Sequence, residues 1–112
     1  MGKYLLDTDI CISILKRQFG VQEKVKKVGS KNCCVSEITI AELFYGASKS
    51  ENPKHFKDVS DIMNLFEIIP IFQSLKIYGS NRAYLEKIGK PMDNMDLLIG
   101  STAIQNNYIM EI

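Results

Sequence analysis

Three acids in this chain could do chemistry and have no evident charge to answer them: Asp7, Glu42 and Asp96. Asp7 ends the apolar run Tyr4-Leu5-Leu6. Glu42 is the sole charge between Glu37 and Lys49, among Ile40, Ala41, Leu43, Phe44 and Tyr45. Asp96 lies in Met92-Asp93-Asn94-Met95-Asp96-Leu97-Leu98-Ile99, with Asp93 one helical turn before it on the same face. Each has a structural reading. Asp7 could cap the following helix. Glu42 could be the carboxylate of a capping box opened by Thr39. Asp96 could answer a helix dipole from the first turn, with Asp93 as that helix's cap. The chemical reading starts from cost. A carboxylate among apolar neighbours is unfavourable unless paired or metal-bound, and no Lys or Arg partner is evident. Clustered carboxylates repel one another unless a cation intervenes, and oxygen-only donors select a hard ion, Mg²⁺ or Mn²⁺. Such an ion keeps several waters, binds phosphate oxygens and can turn a water into a nucleophile. Phosphodiester hydrolysis is the natural chemistry for three carboxylates. A histidine-rich metal site is excluded, because His55 is the sole histidine.

These acids are 35 and then 54 positions apart, so a fold must bring them together. Apolar patterning predicts a first strand at 3–6 and a helix over 9–16, with Thr8 or Asp9 as its N-cap. Val21, Val25 and Val28 keep helical spacing up to Gly29. Cys33-Cys34-Val35-Ser36 reads as a second strand. The next helix opens at the Thr39–Glu42 capping box or nearer Ser36. Pro53 suits the first turn of a helix whose inner side carries Phe56, Val59, Met63 and Phe66. Ile68-Ile69-Pro70-Ile71 is a third strand that its proline confines to an edge or an end. Helices over 73–88 and 93–105 follow, and Tyr108-Ile109-Met110 begins a fourth strand. This alternation predicts an α/β fold: a mostly parallel four-stranded sheet flanked by helices on both faces. Ligands of such sheets sit beyond the carboxyl ends of the strands, where Asp7 lies.

The remaining composition narrows the class. The chain has 112 residues, enough for one domain and its core. Its net charge of +1 excludes a strongly basic nucleic-acid sponge and an acidic tail protein. The charges are nonetheless uneven. Residues 16–31 hold six basic side chains against Glu23 alone, either a solvated helix face or a surface for phosphate backbones. Residues 37–67 hold six acids against three lysines. No apolar run approaches the roughly 18 residues of a membrane span, and Asp7 and Asp9 fall where a signal peptide would be apolar. The expected location is cytoplasmic. Three cysteines without a CxxC read as core fillers of a reducing compartment, with Cys33 and Cys34 pointing to opposite sheet faces.

Three blocks, taken in order, resemble a PIN domain of the VapC type, a ribonuclease toxin of bacterial toxin–antitoxin systems. Tyr4-Leu5-Leu6-Asp7-Thr8-Asp9-Ile10-Cys11 is similar to the family's opening strand and first metal-binding Asp. The segment from Ser36 to Ala47 is similar to the helix carrying its active-site Glu, here Glu42. Gly89 to Gly100 is similar to the segment carrying its second metal-binding Asp, here Asp96. The resemblance implies a Mg²⁺- or Mn²⁺-dependent endoribonuclease acting on RNA, tRNA foremost. Asp7 and Asp96 would hold the metal, Glu42 would complete the acidic pocket, and Thr8 would support it through its hydroxyl. Asp93 is a weaker member of the set. The resemblance also implies a homodimer and a VapB-like antitoxin partner. Six aromatics (Phe44, Tyr45, Phe56, Phe66, Phe72 and Tyr78) exceed what one thin sheet must bury, which agrees with interfaces.

The family pattern continues its fourth strand into Thr and then Asn or Asp, followed by a helix and a last strand. Here Glu111 and Ile112 occupy the positions that pattern gives to an apolar residue and Thr. The expectation is a single domain over 1–112 that lacks the usual C-terminal strand and helix, folds, and cleaves RNA weakly or not at all. Two rival functions stay open: a catalytically weak PIN fold that binds antitoxin or RNA, and a phosphatase using Asp7-Thr8-Asp9. The phosphatase motif wants Thr or Val where Cys11 stands and a later lysine that is not found.

Overall fold

The computed structural model describes residues 3–110; Glu111 and Ile112, where the sequence departs from the family pattern, lie outside them. Three short strands form a parallel sheet in the order β1 (Tyr4–Leu6), β2 (Cys33–Ser36), β3 (Glu67–Ile69). Leu5 stands beside Cys34 and Leu6 beside Val35; Val35 in turn stands beside Ile68. Alternation then assigns the two faces. Leu6, Cys33 and Val35 pack into one core with Cys11, Ile14, Leu43 and Ile62. Leu5, Cys34 and Ile69 pack into another with Ile38, Ile99 and Ala103. Helices therefore cover both faces, and the adjacent cysteines point to opposite sides as expected.

The expected fourth strand is reduced to one parallel bridge, Tyr4 to Ile109, among the described residues. The Leu5 N–H donates to the Ile109 carbonyl at 2.7 Å and the Ile109 N–H to the Lys3 carbonyl at 2.8 Å. The sheet is three-stranded because no second pairing extends this bridge among those residues.

Among the described residues six α-helices complete the fold: α1 (Thr8–Leu15), α2 (Val21–Val28), α3 (Glu37–Ser50), α4 (Pro53–Leu65), α5 (Leu75–Lys87) and α6 (Asn94–Asn106). Their starts decide between the caps that the sequence leaves open. Asp7, rather than Thr8 or Asp9, caps α1, accepting from the Ile10 N–H at 2.9 Å. Ser36 caps α3, accepting from Ile38 at 3.0 Å. Thr39 and Glu42 thus lie inside α3 and form no capping box, because the strand ends one residue before the helix begins. Asn52 caps α4 and places Pro53 in its first turn. The buried side of α4 is Val59 and Ile62, continuing to Phe66, while Phe56 and Met63 are exposed. Asp93 caps α6, accepting from Met95 at 3.1 Å and Asp96 at 3.2 Å. Helix α5 has no buried residue and lies on α6, with a groove between them lined by Tyr84, Leu85, Met92 and Ile104. No helix among the described residues is long and apolar enough to cross a membrane.

Candidate metal and active site

β1 and β2 are parallel, so each hands its chain to a helix at the same edge of the sheet. β1 ends at Leu6, and Asp7 turns the chain into α1. β2 ends at Ser36, which turns it into α3. Across this edge the first turn of α6 approaches. The three helices enclose a cavity of about 580 Å³. α1 contributes Thr8, Asp9 and Ile12, with Asp7 at its cap. α3 contributes Ala41, Glu42 and Tyr45, spaced for one face. α6 contributes Met95 and Asp96. Asp7, Glu42, Asp96 and Thr8 thus share one space. Asp93 is not among its lining residues, and its Oδ2 accepts both cap bonds of α6.

Among the described residues, four carboxylates line this cavity and no Lys, Arg or His does. Asp7 stands at the positive end of α1 and Asp96 in the first turn of α6, where helix dipoles favour negative charge. One Asp7 oxygen accepts the cap bond, leaving the other for a ligand. Glu42 is half-buried, and its Oε1 accepts from the Thr8 hydroxyl at 2.5 Å, a charge-assisted length. The Asp96 side chain makes no hydrogen bond or ion pair among the described residues. The field extends beyond the wall: the buried Cys11 thiol is pushed up to about 12, first by burial and then by the Asp7 charge. Cys11, Cys33 and Cys34 are all free and buried, which removes them as nucleophiles.

A family model for the PIN domain matches residues 4–109. The chain is 34% identical to the ribonuclease VapC2 of Haemophilus influenzae, over 98% of this chain and 85% of that protein. The chain belongs to the PIN-domain family, in its VapC branch. This PIN domain is also 27% identical to a tRNA(fMet)-specific endonuclease VapC of Shigella flexneri, over 98% of itself and 85% of that protein. Among solved structures it superposes on DNA-bound VapBC from Salmonella typhimurium with a TM-score of 0.89 and 30% identity, covering 98% of itself and 85% of that chain. The phosphatase reading of Asp7-Thr8-Asp9 has no place in this family.

The donor set of this PIN domain suits a hard divalent ion, with oxygen donors throughout and a net negative wall. No three His, Cys, Asp or Glu side chains among the described residues stand close enough to ligate one ion directly. A Mg²⁺ ion, which keeps several waters, would take only one or two of these carboxylates directly. Asp9, Tyr45 and Met95 also line the cavity, and the sequence reading placed none of them in the nuclease site. Asp9 had a signal, lying two residues after Asp7. Tyr45 stood out only as an aromatic suited to interfaces, and Met95 had no signal.

Proposed function

We propose that this cavity hydrolyses RNA phosphodiester bonds with a resident Mg²⁺ or Mn²⁺ ion, and that tRNA is the substrate. The observation that carries this is the wall itself: four carboxylates and the hydroxyls of Thr8 and Tyr45, without a cationic side chain among the described residues. Asp7 and Asp96 hold the ion, and Glu42, fixed by Thr8, orients water toward the phosphate. When bound, the ion offsets phosphate charge and lowers the pKa of water. The basic side chains of residues 16–31 are all exposed and offer an attraction for the rest of the RNA strand. The tRNA choice is supported by the Shigella flexneri relative, whose name specifies tRNA(fMet).

The protein acts as the toxin of a cytoplasmic pair with a VapB-like antitoxin, a reading supported by the VapBC complex that shares its fold. An arginine from that partner suits a wall of unpaired carboxylates. Homodimerisation is supported by apolar surface. Tyr84, Met92 and Ile104 are exposed and line one groove between α5 and α6, and exposed apolar grooves of this kind favour association. The test is cleavage of an end-labelled tRNA pool with Mn²⁺ and with EDTA. Mn²⁺-dependent cuts that vanish in Glu42→Gln support the proposal. Cutting that persists in EDTA, or none at any metal concentration, overturns it.

A further inference from the structure

Thr39 is fully buried, and its hydroxyl is used differently from the other buried hydroxyls of the helices. Ser101 donates to the Leu97 carbonyl at 2.7 Å and Thr102 to the Leu98 carbonyl at 2.9 Å, both within α6. These bonds satisfy a buried group locally and say nothing about function. Thr39 makes no such bond among the described residues. The single partner of its hydroxyl is Thr8 Oγ1, 3.2 Å away on α1. Valine has nearly the same shape, so what threonine adds in this buried position is that one hydroxyl. Burying it without a partner would be costly.

The Thr8 hydroxyl has one proton, and the Glu42 carboxylate at 2.5 Å is its stronger acceptor. Thr8 Oγ1 is then left to accept, and the Thr39 proton is the one available. The result is a directed chain, Thr39 to Thr8 to Glu42, in which each bond polarises the next. Thr39 also lies one turn before Glu42 on the same face of α3, so the chain closes a loop between two helices. Threonine χ1 in a helix has two competing wells. The Thr39 bond selects the one that aims Thr8 at Glu42.

We infer that Thr39 is a positioning residue: it fixes the Thr8 rotamer and through it the Glu42 carboxylate on the cavity wall. The inference rests on the nuclease reading for its consequence in rate, but its structural half can be read without RNA or metal. Thr39→Val removes the hydroxyl and keeps the volume; Thr39→Ser keeps the hydroxyl. Three-bond couplings measured by NMR give the Thr8 χ1 distribution in the metal-free protein. Wild type and Thr39→Ser show one rotamer, and Thr39→Val shows averaging. In tRNA cleavage with Mn²⁺, Thr39→Val lowers kcat about tenfold, the scale of one hydrogen bond, with KM little changed, and Thr39→Ser retains most of the rate. Thr39→Ala shows the same kcat loss, which covers the case of a poorly folding valine variant. Adding Thr39→Val to Thr8→Val costs nothing further, because the chain is already cut. A single Thr8 rotamer in Thr39→Val overturns the inference, as does a change in KM alone. Averaging in Thr39→Val, with wild-type protein that cleaves no RNA, supports the positioning role while refuting the nuclease reading.

Discussion

Asp7 has two roles, and Asp7→Asn separates them. One oxygen accepts from the Ile10 N–H at 2.9 Å as the cap of α1; the charge contributes to the carboxylate wall. Asn caps a helix about as well as Asp, whereas Ala in that position costs about 1 kcal/mol. In metal-free buffer Asp7→Asn therefore melts at or slightly above wild type, because one repelling charge is gone. Asp7→Ala melts about 4 °C lower, the shift expected of about 1 kcal/mol in a domain of this size. Metal reverses the order of effects. At a Mn²⁺ concentration of about 100 times Kd, binding stabilises wild type by about 2.7 kcal/mol. Disturbing partners one step removed from a metal costs 10–100-fold in affinity; losing a charged ligand costs at least the upper figure. At the same Mn²⁺ concentration Asp7→Asn then gains only about 0.4 kcal/mol. Differential scanning fluorimetry with and without Mn²⁺ reads both quantities, and calorimetry supplies Kd. The reasoning is refuted if Asp7→Asn loses as much metal-free stability as Asp7→Ala, or if it binds Mn²⁺ as tightly as wild type.

Other sites carry their own expectations. Asp93→Ala removes the cap of α6 and costs about 1 kcal/mol while Mn²⁺ affinity by calorimetry stays put; weakened binding would return Asp93 to the ligand set. Ser74 Oγ is buried without a hydrogen-bond partner among the described residues, so Ser74→Ala should raise Tm by a few degrees as an orphaned hydroxyl is removed, and a fall would reveal a partner for it. The Cys11 thiol holds its proton to about 12 in the fold against 9.0 unfolded. The unfolded chain ionises first as pH rises, so this group's contribution is complete below pH 9.0 and is lost progressively toward 12. A Tm series from pH 8 upward should bend downward, and native protein at pH 8 should resist iodoacetamide; rapid alkylation of Cys11 would contradict its burial.

The elements were legible where a local signal coincided with burial. Gly29 ends α2, Pro53 opens α4, and Cys33–Ser36 is the buried central strand. Capping was harder to place, because Thr8, Asp9, Ser36 and Thr39 all have side chains that can cap and only the strand ends decide between them. Asp7 and Ser36 win because each stands where its strand ends, Asp7 just past β1 and Ser36 as the last residue of β2. The fourth strand was overread from three apolar residues that make one bridge. For the site, Asp7, Glu42 and Asp96 were findable as acids without partners, and the parallel sheet explains why they meet. Thr39 was visible only as a capping candidate. A buried hydroxyl's partner across two helices leaves no trace in sequence spacing. Asp9 and Tyr45 reach the wall through helix rotation, which apolar periodicity fixes only coarsely.

The claim that the carboxylate cavity holds a divalent ion is tested most directly by growing crystals with Mn²⁺ and collecting data at the manganese absorption edge. An anomalous peak is expected inside the cavity, within direct bonding distance of Asp7 or Asp96, with waters between it and the remaining acids. The same peak should be absent from Asp7→Asn crystals. A cavity without a peak at saturating Mn²⁺, or a peak bound elsewhere on the protein, would contradict it.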